Sequence, residues 1–211
     1  MAGFKVFIAE SNNPEDFYLG RLDGHAAHEV LKVRRISSAY RIVLNREMLR
    51  KAIVYAAKAG ADIFHLSCHG NADGVQLTDG ECLSWGELAD EFAPFATARR
   101  ILVNSTCEGG HVGVSKAFRE APVRFGYLCG SSDETVGYAD SCLAWSILYN
   151  VLANEESISQ RAFQKAIDKV NAALPGEFVY RRWVEGDGRY KVYPSPDGGK
   201  PLTGARRRKR I

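Results

Sequence analysis

Short apolar runs bounded by turn residues recur along the chain, and helical patterning fills the intervals between them. Phe4–Ala9, Tyr40–Leu44, Ile63–Ser67, Ile101–Ser105 and Val123–Cys129 each read as a short, mostly buried strand. After the second strand, Leu49, Ala52, Ile53 and Ala56 fall at helical spacing, with Asn45 placed to cap the start and Gly60 to stop the end. Gly74–Leu77 and Thr78-Asp79-Gly80 suggest a small hairpin. Ser84 followed by Glu87 makes a capping box, and Val114–Arg119 a further short helix. Leu143, Ala144, Ile147, Leu148, Val151 and Leu152 form one helical stripe. Ser157 and Gln160 are placed to open a last helix, with Phe163, Ala166, Ile167 and Val170 on one face. Strands alternating with helices predict parallel βαβ units, and hence a three-layer α/β/α sandwich around a mainly parallel sheet. Beyond Pro175 the pattern changes: Phe178–Val184 and Arg189–Tyr193 flank Glu185-Gly186-Asp187-Gly188, a hairpin signal. The organisation expected is one domain over 1–177, then a C-terminal hairpin and a flexible basic tail over 178–211.

Composition narrows the class. With 211 residues and 45% hydrophobic content the chain can bury one sizeable core. The least interrupted apolar run, Cys142 to Ala153, is well short of the ~20 residues that span a bilayer. The opening Phe4-Lys5-Val6-Phe7-Ile8-Ala9 lacks the cleavage region of a signal peptide. A cytoplasmic protein with no membrane partner is expected. The net charge of +3 depends on Arg206, Arg207, Arg208, Lys209 and Arg210, and without those five the chain stands at −2. Such a cluster can bind polyanions by counterion release. The plainer reading is a solvated terminus, since no nucleic-acid motif lies elsewhere, and a nucleic-acid partner is not expected. Cysteines 68, 82, 107, 129 and 142 make an odd set with no CxxC pair, which argues for reduced thiols.

Two strands end in reactive residues. One runs Ile63-Phe64-His65-Leu66-Ser67-Cys68 into His69-Gly70, the other Ile101-Leu102-Val103-Asn104-Ser105-Thr106 into Cys107-Glu108-Gly109-Gly110. Open parallel sheets bind ligands beyond the carboxyl ends of their strands. If these two strands are neighbours, His69 and Cys107 can meet, and a thiol beside an imidazole becomes an activated nucleophile. Gly70, Gly109 and Gly110 leave room for a substrate backbone. The backbone around Gly70, Cys107 and Gly109 would supply oxyanion donors. Other readings stand beside this one. Cys68, Cys82, Cys129 and Cys142 read as core or incidental thiols, and His65 as a packed neighbour. His111 competes as a base. Cys68, His69, Cys107 and His111 lack the compact pairing of a zinc site, so neither a metal nor a cofactor is expected.

These residues carry a resemblance. A strand ending in His-Gly, followed by a strand ending in Ser/Thr-x-Cys-x-x-Gly, is similar to the caspase-like cysteine peptidases, closest to the CHAT branch, bacterial relatives of caspases, metacaspases and separases. Val75–Gly80, Leu83–Leu88 and Ser132-Asp133-Glu134-Thr135 resemble the segments that such domains place around the two motifs. The likeness covers roughly residues 60–170. It implies a caspase-like domain over 1–177 and a cysteine endopeptidase, with His69 as base, Cys107 as nucleophile and an acyl-enzyme intermediate. It also implies a protein or peptide substrate and a role in bacterial antiviral defence or regulated cell death. Asp133, Glu134 and Asp140 follow the fifth strand, where the family's S1 wall lies, and would favour Arg or Lys at P1; equally, they would serve to cap the next helix.

Ser105 departs from metacaspase-type motifs, which tend to have Asp there. No maturation linker fits between strands four and five, so a single-chain enzyme is expected. Any activator has to be a separate partner or receptor, or to act through the C-terminal segment. Two alternatives from other classes remain open: a catalytically silent interaction module of the same fold, and a nucleic-acid-associated factor that uses the basic tail.

Overall fold

A computed structural model describes residues 3–195. In chain order the elements are β1 (Lys5–Ser11), α1 (Pro14–Tyr18), α2 (Asp23–Val33), β2 (Ser37–Ile42), α3 (Arg46–Lys58), β3 (Ile63–Gly70), β4 (Gly74–Gln76), β5 (Cys82–Ser84), α4 (Trp85–Glu91), β6 (Ile101–Ser105), α5 (Val112–Glu120), β7 (Tyr127–Ser131), α6 (Tyr138–Ala153), α7 (Gln160–Ala173), β8 (Phe178–Val184) and β9 (Arg189–Tyr193). The sheet runs β2-β1-β3-β6-β7-β8-β9, with the β4–β5 ribbon attached to the end of β3. The first five of these strands are parallel, while β8 and β9 run antiparallel. This is the three-layer α/β/α sandwich that the patterning predicts.

Strand alternation divides the core in two. Phe7, Phe64, Leu66 and Leu102 point to one face, where Leu49 and Ile53 of α3, Leu88 of α4 and Phe118 of α5 close over them. Ile8, Ile63, Ile101 and Val103 point to the other, under Leu31 of α2, Trp145 and Leu148 of α6, and Phe163 and Ile167 of α7. The predicted caps are present: Asn45 Oδ1 accepts from Met48 N at 3.0 Å, and Ser84 with Glu87 closes a reciprocal box. Gly60 stops α3 with φ +67°, a conformation that glycine adopts without strain.

Four differences from the patterning have physical causes. Helix α2 is preceded by Leu22, which offers no side-chain cap; Glu10 of β1 supplies one instead, accepting from Gly24 N at 2.9 Å and His25 N at 3.0 Å. The last helix opens at Ser159, whose hydroxyl accepts from Ala162 N, rather than at Ser157. Strand β2 begins at Ser37 because a sheet edge tolerates polar residues, so its pairing runs ahead of its apolar stretch. The hairpin expected beyond residue 177 is built into the main sheet, because β8 pairs along all of β7 from Tyr127↔Arg182 to Ser131↔Phe178. Arg206–Arg210 lie outside the described residues.

Candidate active site

Strands β3 and β6 are direct neighbours, in register from Ile63↔Ile101 to Ser67↔Ser105. His69 and Cys107 each stand two residues past that last pair, so adjoining strand ends carry the two predicted residues to the same edge of the sheet. The loops behind them pack closely. A Cβ added to Gly70 would sit 2.1 Å from Thr106 Oγ1 and 3.3 Å from Cys107 O, so the approach of the two motifs requires glycine there.

The imidazole is oriented from outside both motifs. Asp16 Oδ2 lies 2.7 Å from His69 Nε2, with Asn13 Nδ2 at 3.0 Å and the Tyr138 hydroxyl at 3.3 Å. When Nε2 carries the ring proton it donates to this carboxylate, and Nδ1 is left free to accept one. Burial acts to raise the Asp16 pKa, but hydrogen bonds from Tyr138, His69 and Arg21, with the His69 charge, hold it below the ordinary carboxylate value. Asp16 is 5% exposed and His69 39%, an anchored base with an open side. Sequence reasoning missed Asp16. The available signal was Asn13-Pro14, an N-cap followed by proline at the first helical position, which starts α1 and places its third residue beside the strand ends.

Cys107 is partly exposed, and its sulfur accepts from Val136 N at 3.5 Å. Glu108 turns the chain with φ +54°, and its amide donates to Asp133 O at 2.9 Å. The Gly109 amide donates to Thr106 O at 3.1 Å, so the turn itself occupies the donor expected to serve an oxyanion. Cys107 N makes no hydrogen bond among the described residues and is the free donor next to the sulfur. Nor is the Gly109-Gly110 pair kept open for substrate. A Cβ on Gly109 would lie 2.7 Å from Asn104 O, and one on Gly110 2.8 Å from Gly130 O, so protein fills that space. Arg181 of β8 fixes the end of the turn, donating to Gly110 O through Nε at 3.0 Å and Nη2 at 2.8 Å.

Behind the strand ends lies a buried polar cluster. Ser67 donates to Asp23 Oδ1 at 2.6 Å and Ser105 donates to Asp23 Oδ2; Trp145 Nε1 donates to Ser105 at 2.5 Å. Asp23 thus holds the residues two positions before both His69 and Cys107. Burial pushes its pKa up to about 6, against the hydrogen bonds from Ser105 and Ser67, with help from the Glu10 charge. Glu10 is fully buried and accepts from Tyr40 at 2.7 Å besides the α2 amides.

The other predicted residues occupy different settings. Asp133 Oδ2 accepts from Glu177 N at 2.7 Å and from Ser131, which ties the loop after β7 to the start of β8. Glu134 is exposed, and Asp140 lies in the first turn of α6. His111 caps α5, its Nδ1 accepting from Gly113 N at 3.3 Å, so that nitrogen is engaged away from Cys107. His65 is buried; one ring nitrogen bonds the Tyr149 hydroxyl at 2.7 Å, and burial pushes its pKa down to about 3. Burial pushes the Cys68 and Cys129 thiols well up, and that of Cys142 up to about 11, while Cys82 is exposed. No group of three metal-binding side chains occurs among the described residues. Nor, among them, is any helix long and apolar enough to cross a membrane.

No protein family matches the chain, and no curated protein is similar to it in sequence. Solved structures are. The complex of Porphyromonas gingivalis RgpB pro- and mature domains superposes with a TM-score of 0.52 at 11% identity, over 81% of this chain and 43% of that one. The Arg-specific cysteine proteinase gingipain R does so with a TM-score of 0.53 at 11% identity, over 82% and 43%. The fold is caspase-like. The chain spans less than half the length of these neighbours.

Proposed function

We propose that the chain is a cysteine endopeptidase. The observation that supports this reading is the side-by-side pairing of β3 and β6, whose adjoining ends carry His69 and Cys107, together with the Asp16 carboxylate on His69 Nε2. His69 Nδ1 takes the thiol proton, and the sulfur attacks the scissile carbonyl. The tetrahedral oxyanion takes a hydrogen bond from Cys107 N. The imidazolium protonates the leaving amine, and water then cleaves the thioester with His69 again acting as base. Asp16 keeps the ring in the productive tautomer throughout.

For the substrate we propose a basic P1 residue, read by Glu134 or Asp140 beside the loop after β7. Asp23 is buried behind the strand ends with both carboxylate oxygens bonded to Ser67 and Ser105, and Asp133 is committed to its own loop. That the gingipain R neighbour is Arg-specific supports the same choice. On its two motifs we place the chain in the CHAT branch, acting in the cytoplasm on a protein substrate in defence or cell death, under a separate activating partner. The test is a diverse peptide library incubated with the protein and with Cys107→Ala. Cleavage after Arg or Lys, absent from the variant, is expected; cleavage unchanged in Cys107→Ala would overturn the reading.

A further inference from the structure

The β8–β9 hairpin and the start of α7 enclose a second cleft, of about 430 Å³, lined by Gln160, Tyr180, Arg182, Arg189, Lys191 and Tyr193 among others. It belongs to the opposite end of the sheet from His69 and Cys107. Arg182 pairs with Tyr127, the first residue of β7, whereas the reactive edge is at Ser131, its last. A substrate held at Cys107 therefore does not explain it.

Three features converge on this cleft. The first is charge. Arg182 and Lys191 are cross-strand partners, with Arg189 on the same face. Asp187 pairs with Lys191 at 2.5 Å and Arg189 at 3.8 Å, while Arg182 has no ion-pair partner among the described residues. The second is the N-terminus of the 14-residue α7. Ser159 satisfies Ala162 N, but the Gln160 and Arg161 amides have no acceptor among the described residues. The third is independent of both. Tyr180 is 1% exposed and its hydroxyl, which faces the Gln160 side chain, has no hydrogen-bond partner within 3.5 Å among the described residues, although buried hydroxyls nearly always find one. Neighbouring Tyr193 shows the contrast, since its hydroxyl donates to Asp168 at 2.8 Å and takes a bond from Gln164.

We propose that this cleft is an ancillary binding site for a phosphate-bearing small molecule. The phosphate sits between Arg182 and the free amides of α7 and accepts the Tyr180 hydroxyl proton in a hydrogen bond. The space is larger than a bare phosphate needs, and Val192 and Tyr193 line the part left for an ester group.

The test is a titration of the full chain with inorganic phosphate, and separately with phenyl phosphate, followed by amide ¹H–¹⁵N spectra. Saturable one-to-one shifts at Gln160 and Arg161 are expected, with phenyl phosphate binding more tightly if the occupant is an ester and equally if it is the free ion. Arg182→Gln should weaken binding about tenfold and Tyr180→Phe about fivefold, the latter without loss of folding. Because the basic tail is intact in every variant, its nonspecific contribution cancels in the comparison. No saturable shift at these amides, or binding that neither substitution weakens, would overturn the proposal. The readout is independent of peptide hydrolysis, so a failed peptidase assay leaves it standing.

Discussion

His65 and His69 stand four residues apart on one strand and point to the same face of the sheet, yet their surroundings could hardly differ more. At the depth of His65 the face is closed by Tyr149 and Trp145; the ring is buried and neutral, its pKa pushed down to about 3. Four residues on, the strand leaves the core, and α1 brings in Asp16 and Asn13 while Tyr138 arrives from α6. The same side chain becomes an oriented imidazole with an exposed edge. Position along the strand, measured against where the helices stop covering it, decides which histidine can do chemistry.

That contrast is broken most directly by substitution. His69→Ala should lower peptide turnover by roughly a thousandfold or more, as removal of a general base does in cysteine and serine peptidases, while His65→Gln should leave the rate constant near that of the parent. Comparable losses in steady-state assays of the two variants would erase the distinction. Asp16→Asn should cost about a hundredfold or more, because the amide no longer fixes the Nε2 tautomer. The defect should appear in kcat rather than KM, since Asp16 touches the base and not the substrate.

The two buried titratable groups behind the edge make opposite demands on pH. Asp23 has a folded pKa raised from 3.8 to about 6, so the folded state binds the extra proton and stability falls as pH rises from about 4 through 6. His65 has a folded pKa lowered from 6.5 to about 3, so its contribution is present above pH 6.5 and is lost as pH falls toward 3. Each group contributes a slope of about 1.4 kcal/mol per pH unit, of opposite sign, between pH 4 and 6. Urea unfolding of Asp23→Asn should show stability dropping on acidification through that window, and His65→Gln stability dropping on alkalinisation. Parallel profiles in the two variants would contradict the assignment. At neutral pH, Asp23→Asn should also be the more stable protein by about 3 kcal/mol, less whatever its serine hydrogen bonds were worth. The smallest expected effect is a control far from both histidines: Ser159→Ala, which removes the α7 cap, should cost about 1 kcal/mol with turnover unchanged.

The strands that build the sheet and the two motifs at their ends were legible because each is a local signal, an apolar run closed by His-Gly or by a cysteine turn. What stayed hidden depends on contacts between distant segments. Helix α2 has no cap of its own because Glu10, thirteen residues earlier than its start, provides one; no window around Leu22 contains that information. The carboxylate buried behind the two motifs, Asp23, is carried in by that unread helix, far from either motif in sequence. Gly109 and Gly110 were legible as required glycines. The reason for them was not, because the backbone they approach belongs to Asn104 and to Gly130 on the next strand. That the strands of His69 and Cys107 are neighbours could be anticipated from strand order; Asp16 was missed because nothing in a five-residue helix announces what it faces.

The most direct test of the central claim is covalent trapping. The protein would be treated with a peptidyl-arginine acyloxymethyl ketone, and the modified cysteine located by mass spectrometry in a Cys82→Ser background, because Cys82 is exposed and would take up reagent without catalysis. The account predicts a single adduct on Cys107, slowed severely in His69→Ala. Label absent from Cys107, or arriving there at the same rate without His69, would contradict it.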